Sequence, residues 1–303
     1  CSVSWAVTVA EPVGRQTGGG LLFSPANLAP YTIAIRAAVT LELRTTMSPL
    51  KTSGCLLIGS LCCLAGAAEP PPVAFIARRT FAAPEANQAA AATEHHVFAI
   101  TNRTVALYDR KSGQRLGVSK GAARHLNSGY VWKGKLLCAH SNYPQQPEES
   151  EVKVFDPVTL KLTTLVCFGD YGGSLTWIVR RGDHWLCNFA RYDEHNGETF
   201  LVELDGDFKE LRRWSYPRSV IGKLGRFSLS GGVWREGELL VTGHDDPVAF
   251  RLKIPRLGSE LIHTGTYAVP FTGQGFAVDP VGGGLVGISR AKRQVIFASM
   301  RKE

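Results

Sequence analysis

The chain has 303 residues, of which 44% are hydrophobic and 20% are charged, and its formal net charge is +8 at pH 7. This composition excludes a disordered chain, because it supplies enough apolar material for a core. The basic residues are scattered singly or in pairs such as Arg180 and Arg181. A nucleic-acid-binding surface would gather them in one stripe with aromatic residues, so nucleic acid is not an expected partner.

Residues 47–68 have the pattern of a signal peptide. Lys51 gives a positive start, residues 55–64 form an apolar run, and an Ala-x-Ala site follows. The run is too short to cross a bilayer, so no membrane span is predicted. We expect cleavage after Ala67 or Ala68 and a secreted or periplasmic mature protein.

Residues 1–46 precede this segment and show neither helix caps nor sustained periodicity. Met47 stands where an initiator belongs. We therefore interpret residues 1–46 as upstream or non-native sequence, with a small additional N-terminal element as the alternative.

Residues 72–303 contain five internal repeats, which predict a single β-propeller domain. Each repeat has an apolar strand that ends in polar residues, and successive copies lie 40 to 54 residues apart. The five copies are residues 97–102, 137–142, 186–191, 240–245 and 285–290. Four short strands per repeat is the content of one propeller blade. The fold class is thus predicted to be all-β, with five four-stranded blades and six blades as the alternative.

A first strand precedes each of these segments and is joined to it by a tight turn such as Lys133-Gly134. Trp132, Trp177 and Trp234 are predicted to occupy one register position in three first strands and to pack between blades. The last repeat lacks a fourth strand. Residues 73–81 read as a strand, and we expect them to complete that blade and to leave no free sheet edge.

The start of each first strand and the end of each second strand must lie on the same face, because the pair forms an antiparallel hairpin. Polar residues gather at these positions, which predicts a pocket there. His140 and His244 are the candidate catalytic acid/base residues, with Asp245 or Asp246 orienting them. The candidate substrate-binding residues are His125, Asn127, Asn142, Tyr143, Arg191, Tyr192 and Gln274.

Two other interpretations of this face remain open. His125, His140 and His244 with a nearby carboxylate are a conceivable ligand set for a divalent metal such as zinc or iron. Alternatively, the polar residues only satisfy the exposed ends of strands. Cys138 and Cys187 share one position in their repeats and alternate with their neighbours, and they are predicted to be inert core residues.

The region from residue 88 to about residue 297 resembles a family of exported bacterial propellers often labelled cycloisomerases. The motifs that carry the resemblance are residues 125–129, 139–144, 173–177, 230–234, 242–245 and 273–275. The family is distantly similar to muconate-cyclising and glutamine-cyclising propellers. The resemblance implies an enzyme of the cyclase, isomerase or lactonase kind, in which Arg191 would hold an anionic substrate. The alternative is a non-catalytic propeller that binds a small molecule, a glycan or a protein.

Overall fold

The computed structural model describes residues 74–301, which form five antiparallel four-stranded sheets. The prediction of an all-β, five-bladed β-propeller is therefore confirmed. The predicted signal peptide and the segment before it lie outside the described residues.

The blades follow one another along the chain, and each runs from an inner to an outer strand. Blade 1 contains β2 (Ala89–Ala92), β3 (His96–Ile100), β4 (Val105–Asp109) and β5 (Arg115–Val118). Blade 2 contains β6 (His125–Trp132), β7 (Lys135–Ser141), β8 (Ser150–Phe155) and β9 (Leu162–Gly169). Blade 3 contains β10 (Ser174–Arg181), β11 (His184–Ala190), β12 (Phe200–Leu204) and β13 (Glu210–Ser215).

Blade 4 contains β14 (Gly231–Arg235), β15 (Glu238–Thr242), β16 (Val248–Lys253) and β17 (Ile262–Ala268). Blade 5 contains β18 (Ala277–Val278), β19 (Leu285–Ser289), β20 (Gln294–Met300) and β1 (Phe75–Ala82). The connections include a 3-10 helix (Asp193–Glu198) and the short helix α1 (Arg218–Ile221).

The first strand of the described region completes the last blade. β1 pairs antiparallel with β20, from Phe75 opposite Met300 to Ala82 opposite Gln294. This confirms the strand that the sequence predicted at residues 73–81. The chain thereby joins its two described ends within one sheet and leaves no unfinished blade edge in the ring.

Tight hairpins connect the inner and second strands at one end of the propeller. Lys133 and Gly134 both have positive φ, at 48° and 74°, as a type I′ turn requires. The residues of the second strands are almost all buried between neighbouring blades. Cys138 and Cys187 are among them and are fully buried, as the alternation predicted.

The prediction that three Trp residues share one register position is wrong. Trp132 pairs with Lys135 beside the hairpin turn, whereas Trp177 pairs with Asn188 in the middle of β10. β10 runs for four more residues after Trp177 before it turns. Trp177 does pack between blades, since a Cβ placed on Gly232 of blade 4 would lie 2.6 Å from its ring.

A ring of hydrogen bonds links each blade to the next near the start of the inner strands, and we call it the inter-blade ring. Every bond ends on a backbone carbonyl oxygen, and side chains donate three of the five. The bonds are Leu126 N–H to Asn102 (2.8 Å), Asn127 Nδ2 to Leu175 (2.9 Å), Thr176 Oγ1 to Leu229 (2.7 Å), Thr242 Oγ1 to Gln274 (2.8 Å) and Gly275 N–H to Gln88 (2.9 Å).

The ring predicts a measurable cost for losing one side-chain donor. Thr242→Val leaves the buried carbonyl of Gln274 without this donor and should lower the free energy of unfolding by about 1–2 kcal/mol. Thr264→Val, at an exposed hydroxyl of β17, is the matched control and should change it by less than about 0.5 kcal/mol. Urea unfolding measures both, and equal effects would contradict the assignment of the ring as a stabilising element.

Candidate functional site

The inner hairpins bring the predicted polar segments to one face, which we call the upper face. His125 is opposite Ser141, Ser174 is opposite Ala190, and Gly231 is opposite Thr242. The opposite end, where the inner hairpins turn, is the lower face. The candidate site residues therefore belong to strand ends and loops held together by the inter-blade ring.

His244 is the centre of a chain of three side chains on the upper face. Nδ1 of His244 lies 2.6 Å from Oδ1 of Asp245, and Nε2 lies 3.0 Å from Nη1 of Arg290. A guanidinium has only donors, so Nε2 accepts and Nδ1 carries the proton that it donates to Asp245. The imidazole stacks on Phe227, with ring centres 4.0 Å apart. A recess of about 210 Å³ lies beside His244 and Asp245.

Each ring nitrogen of His140 also has a partner, but the donor to Nε2 is a backbone N–H and not a side chain. The backbone N–H of Arg124 donates to Nε2 over 2.8 Å, and Nδ1 lies 3.0 Å from Oε1 of Glu151. His140 is 5% exposed. Its ring is thus held between a fixed backbone donor and a carboxylate on the neighbouring strand β8, and neither nitrogen faces an open site.

His125, Tyr143 and Tyr192 form an aromatic group on the same face. Tyr143 lies edge-on to His125 at 5.4 Å and contacts Tyr192 at 4.6 Å between ring centres. Burial, together with the nearby charges of His140 and Arg290, lowers the pKa of His125 to about 4. Burial also raises the pKa of Tyr192.

The three amides predicted to bind substrate are engaged in holding the protein together. Asn127 donates to the inter-blade ring and is 8% exposed. Asn142 closes its own loop, accepting from the N–H of Glu149 and donating to the carbonyl of Pro147, each over 2.9 Å. Gln274 donates to the carbonyl of His244 over 3.1 Å. Within residues 74–301 these groups act as supports of the loops that carry the site.

Arg191 and Asp246, the other candidates, lie at the rim. Arg191 donates to the carbonyl of Gly172 over 3.1 Å and is 3.4 Å from a carboxylate oxygen of Glu198. The side chain of Asp246 is exposed, whereas its carbonyl accepts the N–H of Gly273 over 3.1 Å. The geometry therefore links Asp245, rather than Asp246, to His244.

Three residues near the site were not assigned a catalytic or binding role from the sequence: Phe227, Glu148 and Arg290. Burial raises the pKa of Glu148, while the charge of Arg191 opposes that shift. Burial and Arg293 lower the pKa of Arg290, while Asp245 opposes them. The sequence did contain a signal for Arg290, because it ends the second strand of blade 5 as Arg191 ends that of blade 3. Nothing in the repeats marks Phe227 or Glu148, which lie in loops between blades or strands.

The proposed metal ligands do not come together. In the part of the chain that the structure describes, no three His, Cys, Asp or Glu side chains are close enough to share a metal ion. Each of His125, His140 and His244 is instead engaged by the partners described above. Among the same residues, no helix has the length and apolar character needed to cross a membrane.

Comparison with known proteins bears on the fold. No family model matches the chain, and no curated protein sequence matches it. The solved structure of Myxococcus xanthus glutaminyl cyclase is similar, with a TM-score of 0.51 and 12% identity over 76% of this chain and 98% of that chain. At this identity the likeness shows the propeller fold alone, and the label cycloisomerase stays a prediction from the motifs.

Two further solved structures match with lower scores. A chain of the mitotic checkpoint complex has a TM-score of 0.42 and 11% identity, and covers 86% of this chain and 100% of its own. The β-propeller domain of Cps50 (Swd1) from Myceliophteria thermophila has a TM-score of 0.46 and 11% identity, and covers 75% of this chain and 100% of its own.

The lowered pKa of His125 predicts a loss of stability in acid. Its pKa of about 4 in the folded chain lies below about 6.5 in an unfolded chain. The unfolded state therefore binds this proton more tightly, and stability falls as pH drops from about 6.5 towards 4. The contribution lost between pH 7 and 4.5 is about 2 kcal/mol.

Urea unfolding of the parent, His125→Gln and His95→Gln at pH 7 and 4.5 measures this contribution. His125→Gln should lose less stability on acidification than the parent, whereas the variant at exposed His95 should follow the parent. Identical pH dependence in all three proteins would contradict the assignment to His125.

Proposed function

We propose that this protein is an enzyme of the isomerase or cyclase type that binds a small anionic substrate on the upper face. Arg290 binds the anion, and His244, oriented by Asp245, moves a proton. The observation that carries the proposal is the contact between Arg290 and Nε2 of His244, because it joins an anion-binding group to a potential base. We also propose that the mature protein is exported, on the signal-peptide pattern of residues 47–68.

Arg290 is suited to bind an anion because its guanidinium is already partly removed from water in the free protein. Its guanidinium is half-buried and, within residues 74–301, donates only to neutral groups, His244 and Asn87, the latter over 3.3 Å. A buried cation with neutral partners gains more from a carboxylate than one that already has an ion pair. Arg191, the arginine favoured by the sequence, already lies 3.4 Å from Glu198.

The difference between the two predicted catalytic histidines favours His244. The group that donates to Nε2 of His140 is the backbone N–H of Arg124, directly before β6, which can move away only if the backbone of that loop moves. The group that donates to Nε2 of His244 is the long side chain of Arg290, which can turn towards an anion. An anion that draws Arg290 away exposes the lone pair of Nε2 beside the bound substrate. Substrate binding thus produces the base that the reaction needs.

The proton step then balances within the substrate. Nε2 of His244 takes a proton from one substrate atom, and the carboxylate of Asp245 stabilises the imidazolium that forms. The proton on Nε2 exchanges with solvent, and His244 then gives a proton to a second substrate atom, so substrate and product have the same composition. His125, whose lowered pKa keeps it neutral, and the rings of Tyr143 and Tyr192 would form an uncharged wall beside the anion.

The fold is compatible with this chemistry. The solved propeller of similar fold is named a glutaminyl cyclase. That likeness supports a cyclase-type reaction as one use of the scaffold, although fold alone does not determine activity.

The test begins with a thermal-shift screen of the protein from residue 69 onward against sugar acids, aromatic acids and lactones. For each hit, calorimetry measures binding to the parent, Arg290→Gln, His244→Asn and the control Arg256→Gln, which changes an exposed arginine of blade 4. Arg290→Gln should weaken binding of acids at least about tenfold, equivalent to about 1.4 kcal/mol. Arg256→Gln should bind as the parent does, and equal binding by Arg290→Gln would contradict the role of Arg290.

Proton transfer is measured separately, by uptake of solvent deuterium into the hit. The parent should label the substrate, and His244→Asn should bind it but label it at least about 100-fold more slowly. His140→Ala is not an informative control, because it would leave Glu151 and the Arg124 N–H without their partner.

A non-catalytic binding propeller is the second candidate. It is favoured by the engagement of both nitrogens of His244, because a fully satisfied imidazole can simply hold its loop in place. A hit that depends on Arg290 but acquires no deuterium in the parent would support this candidate over the enzyme.

A further inference from the structure

A second cavity lies at the lower face and has no role in the proposed reaction. Its volume is about 340 Å³, which is within the range of small-molecule sites. Inner strands from several blades line it with apolar side chains such as Val131, Val179 and Val278, and with the aromatic rings of Tyr130 and Trp234. From His125 to Tyr130, β6 spans about 16 Å at about 3.3 Å per residue, so the two sites are separate.

The blades pack tightly beside this cavity. Gly129 and Gly232 both line it. A Cβ on Gly129 would lie 2.7 Å from Cδ1 of Ile100, and one on Gly232 would lie 2.6 Å from the ring of Trp177. Larger residues are therefore excluded at two positions of the wall. The space is a consequence of a close-packed core and is preformed, which lowers the cost of binding.

Glu94 is the single charged residue among the described residues that line the cavity. It lies in the turn between β2 and β3 and is exposed. Within residues 74–301 its carboxylate makes no ion pair, whereas nearby Asp279 is bound to Arg110 over 2.8 Å. An apolar, partly aromatic cavity with one unpaired carboxylate at its mouth is complementary to an apolar body that carries one positive charge.

We infer that the lower cavity is a second binding site, for a small molecule with an aromatic or aliphatic body and one amino group. The body fills the space between the valine side chains and the ring of Trp234, and the ammonium group meets Glu94 at the mouth. The aromatic lining adds attraction for the cation. This site needs neither Arg290 nor His244.

The inference is tested with three probes of similar shape: 2-phenylethylamine, 2-phenylethanol and phenylacetate. Calorimetry and tryptophan fluorescence measure their affinities for the parent. The amine should bind about threefold or more tighter than the alcohol, since a mostly exposed ion pair contributes little, and the carboxylate should bind weakest. Failure of both amine and alcohol to bind at millimolar concentration would overturn the inference.

Four variants distinguish the cavity from other surfaces. Glu94→Gln should weaken the amine about threefold and leave the alcohol unchanged. Val278→Phe fills the cavity and should weaken binding of both the amine and the alcohol at least tenfold. If this variant does not fold, Val131→Phe fills the cavity from another strand and should have the same effect. Val158→Phe, at an exposed position of blade 2, is the matched control and should have no effect.

Arg290→Gln separates this site from the proposed reaction. It should leave amine binding unchanged, even though it weakens the acids that bind on the upper face. Unchanged binding of the probes to both filling variants would overturn the assignment to the cavity. Equal effects of Glu94→Gln on amine and alcohol would overturn the preference for an amino group.

Discussion

The inter-blade ring is the constraint on which the upper face depends. The blades of a propeller contact one another through apolar side chains, which set distance but impose little direction. Hydrogen bonds such as that from Thr242 to Gln274 add direction, because donor and acceptor must be aligned. They lie at the start of the inner strands, where the site residues also lie. The hydrogen bonds that fix the relative orientation of the blades therefore lie on the same face as the site.

Gln274 illustrates the link between this ring and the site. Its carbonyl accepts from Thr242 and its side chain donates to the carbonyl of His244. Its φ is 151°, in the region that favours glycine. Two hydrogen bonds from blade 4 thus hold a backbone conformation that a free loop would avoid. The same two bonds fix the position of the loop that carries His244. The strained backbone of Gln274 is thus part of the contact that holds the His244 imidazole in place.

The repeats were sufficient to predict the fold, because five copies of a unit with four short strands, 40 to 54 residues apart, match the content of propeller blades. They also predicted the closing strand and the face on which His140 and His244 lie. They did not distinguish the two histidines, because the donors to Nε2 are distant in sequence. Arg124 lies 16 residues from His140, and Arg290 lies 46 residues from His244. Such contacts depend on loop conformations that no repeat pattern encodes.

The sequence did not predict the structural role of the amides for a related reason. Asn127 lies where β6 bulges between Leu126 and Gly129, so simple alternation does not predict its direction. Its side chain reaches blade 3 and becomes part of the ring. The lower cavity was missed because residues from several blades line it, such as Val131, Val179 and Val278, and the sequence does not show how closely these blades approach one another.

The central claim is that Arg290 holds Nε2 of His244 as an acceptor while Nδ1 carries the proton. Nitrogen-15 spectra of the His-labelled protein at pH 8, assigned with His244→Asn, measure this tautomer directly. The account predicts a protonated Nδ1 and an unprotonated Nε2 in the free protein. It also predicts that Arg290→Gln shifts the Nε2 resonance. A proton on Nε2 in the free protein would contradict the account, because Arg290 has no acceptor to receive it.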